Sequence, residues 1–412
     1  MRITGSVNRT LTLGLVCASM AIVSGCANDK PKAGSDGASG VSNGTATKSP
    51  IVVGEFGSLS GSESTFGTST DNGLKLACNE INAKGGIDGH PLNVHVLDDE
   101  GKPDSALTVV QKLINQDKPI AIIGEVASKL SIQAAPACNS NKVPMISPSS
   151  TNPKVTQIGP YIFRVCFIDP FQGTAAAKFA VGTLKAKRAA IMTDQQNDYS
   201  TGLTKFFTAS FTQQGGTIVA NPSYTKDDLD FHSQLANIKA LNPDVIYVPG
   251  YYGQIGPIAK QARQLGITAP LLGGDGWDSP KLVEGAGGPG KALEGCYFTN
   301  HSSMENPDPA IQNFVKAFKT ANNNAQPDAL AALGYDAGMV LADAIKRTGA
   351  PADGDYSAEA YRVKLRDSIA ATKDFPGATG AITIGPDRNA VKPAVVLQVK
   401  GADFKYVTTV NP

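Results

Sequence analysis

Two loops rich in small hydroxyl residues and one isolated acid stand out for the chemistry they could do. Ser128 ends Glu125-Val126-Ala127-Ser128, just before an apolar-periodic helical run. A serine there satisfies an orphan amide, and the same helix start offers N–H groups and a hydroxyl to an anion. Ser147-Pro148-Ser149-Ser150-Thr151-Asn152-Pro153 sets small polar residues between prolines, so hydroxyls such as those of Ser149 and Thr151 are displayed on a stiff loop. Either loop alone reads as a cap or a turn; placed after adjacent strands, the two make an anion cradle. The acid is Asp275 in Gly273-Gly274-Asp275-Gly276-Trp277, and Tyr199 and Tyr251 sit in two other loops of the same half of the chain. A carboxylate beside aromatic faces suits an ammonium group. The bland alternatives are an Asx turn at Asp275 and core packing for each aromatic, Trp277 included. A further loop, Gly54 to Gly61 ahead of Phe66, could bring backbone N–H groups to an anion or simply turn the chain.

Nothing comparable supports catalysis or a cofactor. Gly285-Ala286-Gly287-Gly288-Pro289-Gly290-Lys291-Ala292 nearly spells a phosphate loop, but Ala292 stands where a Ser or Thr must ligate magnesium, and no clear strand feeds the glycines. From residue 50 onward no G-x-S-x-G or H-E-x-x-H is present, and no Cys/His dyad at useful spacing is evident. With one Trp and only 4 His, a His-rich metal site has little material. The expectation is therefore no enzyme, no metal and no cofactor. A net charge of +1 with 18% charged residues argues against a nucleic-acid partner.

The elements that must position these loops alternate. Ile51-Val52-Val53 is a β-branched run, and residues 68–84 place Leu74, Ala77, Cys78 and Ile81 on one helical face before Gly85-Gly86 stops the helix. Strands at 91–97, 120–123 and 143–146 alternate with helices at 105–114 and 132–138. A second series of the same kind runs from 171 to 272, and strands near 380–384, 394–399 and 404–407 close the chain. The fold class that follows is α/β: two Rossmann-like lobes with parallel doubly wound sheets and a cleft between them. Ligands bind beyond the carboxyl ends of strands in such sheets, which is where the hydroxyl loops and Asp275 fall.

The N-terminus speaks to compartment. Arg2 and Arg9 precede the apolar run Leu11 to Val23, which is too short for a membrane span and ends in Val23-Ser24-Gly25-Cys26. This resembles the lipobox of bacterial lipoproteins, in which the Cys is acylated and becomes the new N-terminus. Residues 1–25 then read as a signal peptide, and 26–49 as the lipidated Cys26 with a Gly/Ser/Asn/Asp/Lys-rich tether. Of 6 Cys, four remain in the body: Cys78, Cys138, Cys166 and Cys296, in any of three full pairings.

From about residue 50 to 412 the chain resembles the type I periplasmic binding proteins, specifically the leucine/isoleucine/valine-binding family. The stretches that carry the resemblance are Glu80 to Gly89 (EINAKGGIDG), Asp98-Asp99 with Pro103, and Pro144-Met145-Ile146-Ser147-Pro148. It implies three segments crossing between the lobes near 164–167, 295–298 and 386–392, with 50–165 plus 297–387 in lobe 1 and 166–296 plus 388–412 in lobe 2. It implies a carboxylate site at the serine Ser128, a backbone group at Ser149 and the threonine Thr151, and an ammonium site at Asp275 with Tyr199 and Tyr251, Phe66 taking the place of a tyrosine. Asp275 is shorter than the family's glutamate and Phe66 lacks a hydroxyl, which leaves the bound side chain open. It also implies a Cys166–Cys296 disulfide on neighbouring crossings. The function implied is a monomeric lipid-anchored protein outside the cytoplasm, in the periplasm or on the outer face of the membrane. Such a protein captures an amino acid by hinge closure and delivers it to the permease and ATPase subunits of an ABC transporter. A sensory receptor, or a binder of a related amide or of an aromatic or short-chain acid, are the alternatives.

Overall fold

Apolar β-branched segments define two sheets in the computed structural model, which describes residues 48–412. The signal segment, Cys26 and most of the expected tether lie outside the described residues. The first lobe begins β1 (Ile51–Gly57), α1 (Ser64–Ala83), β2 (Leu92–Asp98), α2 (Pro103–Lys112) and β3 (Ile122–Ile123). It continues with α3 (Ser128–Ser140), β4 (Met145–Ser147), α4 (Lys154–Gln157) and β5 (Ile162–Arg164). Its sheet runs in the order β2-β1-β3-β4-β5, every pair parallel. Two-residue strands such as β3 suffice because both faces of the sheet are covered, so Ile122 and Ile123 are fully buried.

The second lobe follows with α5 (Asp169–Gly182), β6 (Arg188–Ile191), β7 (Thr193–Asp194), α6 (Asp198–Gln213), β8 (Thr217–Ala220) and β9 (Ser223–Tyr224). Then come α7 (His232–Leu241), β10 (Val245–Tyr247), α8 (Tyr252–Gln264), β11 (Leu271–Gly273), α9 (Pro280–Gly285) and β12 (Tyr297–Asn300). The chain returns to the first lobe as α10 (Pro309–Ala321), α11 (Ala329–Thr348), α12 (Glu359–Ala370) and the hairpin β13 (Phe375–Gly377) and β14 (Gly380–Ile382). Finally β15 (Ala394–Lys400) and β16 (Asp403–Val410) complete the second sheet, ordered β16-β15-β12-β11-β10-β6-β8. Its core strands are parallel, and β15 and β16 form an antiparallel edge.

In the first lobe α1 packs on α11 with backbones nearly touching. A Cβ on Gly73 would lie 1.9 Å from the Ala331 carbonyl oxygen, and one on Gly334 2.3 Å from that of Thr70. Only glycine allows this approach, and it fixes the tilt of α1, whose first turn carries Phe66. The sequence places that helix start at 68; the hydroxyl-rich 64–67 segment is helical as well, so Phe66 belongs to a rigid element rather than a loop.

Two expectations are corrected. Tyr297–Asn300 pairs with both β11 and β15, so it belongs to the second sheet, and the middle crossing falls after Asn300 rather than at 295–298. Cys296 is therefore embedded in the second lobe, where Arg263 Nη2 contacts its Sγ at 3.3 Å, while Cys166 Sγ faces the Ser150 carbonyl in the first crossing at 3.6 Å. All four body cysteines are free and buried. Burial pushes the Cys78, Cys138 and Cys166 thiols up to about 12, which leaves them protonated and unreactive. A thermal melt with and without excess thiol reductant should give the same midpoint to within about 1 °C, since no disulfide among these four constrains the unfolded chain.

Candidate ligand-binding cleft

Arg164 anchors the first lobe's side of the cleft from the hinge. Its side chain is wholly buried; Nη1 donates to the Ser150 carbonyl and Nη2 to the Asn152 carbonyl at 2.8 Å. Hydrogen bonds to a charged donor contribute roughly 1.5–3 kcal/mol each. They fix the backbone of the 149–152 loop. Below it the hydroxyls of Ser147 and Ser150 both donate to the Glu125 carbonyl, at 2.7 and 2.8 Å, tying this loop to the one that starts α3. Ser128 Oγ in turn accepts from the Asn152 amide at 3.2 Å, so its own proton remains free to donate.

Two groups in this loop stay unpaired. Ser149 Oγ and Thr151 Oγ1 are sealed from water with no hydrogen-bond partner. Burying a hydroxyl without a partner costs about 1–3 kcal/mol, so two adjacent ones on a braced loop are not what packing alone would produce.

On the other lobe, β11 ends in Gly273 and the single 3-10 turn Asp275–Trp277. Asp275 Oδ1 accepts from the Tyr199 phenol at 2.8 Å and from Gln172 Nε2 at 2.7 Å, and His301 Nε2 donates to Oδ2 at 3.1 Å. Tyr199 also accepts from the Gly276 amide at 3.0 Å and stacks on Tyr251 at 5.1 Å. Burial raises both phenols well above their ordinary range, so each is a neutral donor. The Tyr251 hydroxyl is buried without a partner.

Across the gap, Phe66 meets the rings of Tyr251 and Tyr252 edge-on, at 5.5 and 4.9 Å. Polar contacts join the lobes alongside: Thr65 Oγ1 to Ser279 Oγ at 2.9 Å, Lys129 Nζ to the Gln196 carbonyl at 3.1 Å, and Asn152 Nδ2 to the Asp198 carbonyl at 2.8 Å. The lobes are closed on one another. A cavity of about 630 Å³ lies on one flank of the closed interface, lined by Ser64, Ser69, Asp278, Asn300 and Asp328 among others. It does not include the hydroxyl loop or Asp275.

Of the residues picked out in the sequence, Ser128, Ser149, Thr151, Tyr199, Tyr251, Asp275 and Phe66 thus converge on one buried region spanning both lobes. Trp277 does not. It is fully buried in the second lobe, its indole N–H donates to the Val248 carbonyl at 3.0 Å, and its ring lies over Gly273 and stacks with Phe298. It supports the Asp275 turn from beneath. Arg164, Gln172, His301 and Asp169 were missed. Gln172 follows Asp169 by one turn of α5, and that i, i+3 polar spacing in an otherwise Ala-rich helix was the available signal.

The comparisons bear on this arrangement. A family profile described as periplasmic binding protein matches residues 50–404. The chain belongs to the periplasmic binding protein family. It is 32% identical over 341 residues to the Leu/Ile/Val-binding protein BraC3 of Rhizobium johnstonii, covering 81% of this chain and 87% of that one. Among solved structures it is similar to the leucine-binding protein LivK of Thermotoga maritima, at 40% identity and TM-score 0.81 over 88% of this chain and 99% of that one. LivJ of Streptococcus pneumoniae, solved with isoleucine, matches at 33% and 0.81 over 88% and 100%. A Rhodopseudomonas palustris solute-binding protein solved with benzoate matches at 27% and 0.78 over 88% and 97%. These fit the two-lobed, parallel-sheet architecture described above, and members of this family are substrate-binding components of transporters rather than enzymes. Among the described residues no group of His, Cys, Asp and Glu is placed to hold a metal, and no helix is long and apolar enough to cross a membrane.

The acidic turn tests simply. A Cβ on Gly274 would sit 2.3 Å from the Tyr199 phenol oxygen. Gly274→Ala should push that phenol off Asp275 and weaken ligand binding roughly tenfold or more, as losing one hydrogen bond to a buried charge does. Circular dichroism should remain that of the folded protein.

Proposed function

We propose that this protein is the extracytoplasmic receptor of an ABC transporter and that it closes around an α-amino acid with an apolar side chain. Ser128, Ser149 and Thr151 take the carboxylate, while Tyr199, Tyr251 and Asp275 face the ammonium. The observation that carries this reading is the set of buried hydroxyls without partners, Ser149 Oγ, Thr151 Oγ1 and the Tyr251 phenol, contributed by both sides of a closed interface. A bound carboxylate supplies the acceptors that the serine and threonine hydroxyls lack, and the apolar side chain lies against Phe66 and its neighbours in the same buried cluster, among them Val126, Ala127 and Leu330. Because both lobes contribute, the ligand favours the closed form, which is the form a permease can distinguish from the open one.

The benzoate-bound relative keeps an aromatic acid in play as a second reading. Such a ligand would satisfy the hydroxyl side alone and leave the acidic side without its cation. The side chains around Asp275 therefore favour an amino acid.

A thermal-shift screen separates the two. At a hundredfold excess over Kd a ligand adds about 2.7 kcal/mol, which for a body of this size raises the midpoint by roughly 4 °C. L-Leucine, L-isoleucine or L-valine should do so and Asp275→Ala should remove the effect. A shift from benzoate with none from any α-amino acid would refute the amino-acid reading.

Anchoring follows from the lipobox at Cys26. More than one acyl chain on that residue would hold the protein to a bilayer far better than a single chain, whose binding is reversible. Cys26→Ser should shift the protein from the membrane pellet to the soluble fraction; a variant that still pellets would show that something else retains it.

A further inference from the structure

Asp275 is the acid that the sequence singles out, yet it already has partners of its own: Tyr199 and Gln172 on Oδ1, His301 on Oδ2. The carboxylate that lacks partners is Asp169. It is the first residue of α5, entering the second lobe straight from the hinge, and none of its surface is exposed. Neither Oδ1 nor Oδ2 makes a hydrogen bond of good geometry, and the side-chain donor beside them is the Thr151 hydroxyl. Its backbone amide donates to the Thr151 carbonyl at 2.9 Å, so the side chain starts beside the hydroxyl loop of the first lobe. On the other side Oδ2 approaches α6 at Gly202, within 3.4 Å of where a Cβ would stand, one helical turn from Tyr199.

Further groups that can accept from an ammonium lie nearby. Gln172 Oε1, one turn along α5, is buried without a donor, and so is the Tyr247 phenol on β10. Arg164 is the nearby cation; its Nη1 and Nη2 are committed to the carbonyls of Ser150 and Asn152, and its Nε is unpaired and makes no hydrogen bond to Asp169. Burial above all pushes the Asp169 carboxyl up to about 8; Asp275 adds to the rise, and the Thr151 hydroxyl and Arg164 oppose it. An isolated carboxylate in such a place either takes a proton or meets a cation.

We propose that Asp169 is a second ammonium-binding acid of the cleft, which shares the ligand's cationic group with Asp275 and makes tight binding conditional on an amine. This rests on the amino-acid reading above. An ammonium brings three donors. Asp275 Oδ2 has capacity for one of them beyond His301, and Asp169 has two oxygens that nothing else occupies. The consequence is selectivity against acids that have the same side chain and no amine, because they would leave Asp169 buried and uncompensated.

Calorimetric titration of wild type, Asp169→Asn and Asp169→Ser with L-leucine and with 4-methylpentanoate, its counterpart without the amine, tests the assignment. Removing one partner of a buried charge pair should cost L-leucine about 30-fold or more in affinity, with 4-methylpentanoate unchanged or tighter. The melting midpoint of either ligand-free variant should not fall, because the Thr151 hydroxyl is the one side-chain donor beside Asp169 and Asn and Ser can both accept from it. L-Leucine affinity within about threefold of wild type in the variants, or equal losses for both ligands, would overturn the role of Asp169 and leave a water as the occupant. If the wild type binds 4-methylpentanoate but no L-leucine, the amino-acid reading itself fails, and this inference with it.

Discussion

A polar group sealed from water must find a partner or bear the cost of its desolvation. That constraint organises the cleft. The fold pairs many of the polar groups around it: Ser147 and Ser150 on the Glu125 carbonyl, Arg164 on two loop carbonyls, Tyr199, Gln172 and His301 on Asp275. Against that background Ser149, Thr151, Tyr251 and Asp169 are conspicuous for being buried and unmatched. Donors lie on the hydroxyl loop and the buried carboxyl of Asp169 lies on α5, a pairing that suits the two ends of a zwitterion. Each unmatched group makes closure around nothing less favourable than closure around a ligand that supplies its partner.

The scaffold makes this possible by stiffness rather than by contact number. Arg164 sits at a lobe crossing and holds the hydroxyl loop through its backbone, which leaves the side chains of Ser149 and Thr151 free. Gly274 and Gly276 flank Asp275 so closely to Tyr199 and Tyr251 that a methyl group at either position would collide with them. Phe66 is carried on the first turn of α1, a helix locked to α11 by glycines on both, so it meets Tyr251 and Tyr252 as part of a rigid wall. The residues of the proposed site are thus carried on elements braced within one lobe or the other.

Much of this was legible beforehand, for physical reasons that differ from part to part. Alternating apolar runs and amphipathic helices imply parallel sheets, and hydroxyl-rich or acidic loops after strands mark the cleft, because strand ends face it. Trp277 misled because an aromatic next to Asp275 looks the same in sequence whether it lines a cleft or fills the core beneath. Cys166 and Cys296 misled because their pairing depended on where the chain crosses between lobes, and a four-residue strand, Tyr297–Asn300, moved that crossing. Asp169, a helix-start acid, showed only through its one-turn spacing from Gln172 in an Ala-rich helix. His301 follows a strand, and nothing local distinguishes it from a surface residue. Arg164 likewise reads as an ordinary strand-end cation until its burial is known.

The most direct test of the central claim is a crystal structure of the protein grown with L-leucine. The cleft described here predicts the ligand carboxylate within about 3 Å of Ser149 and Thr151, and the ammonium at similar range from Asp275, between the phenols of Tyr199 and Tyr251. A leucine bound the other way round, or lodged in the flank cavity with Ser149 and Thr151 still unpartnered, would contradict it.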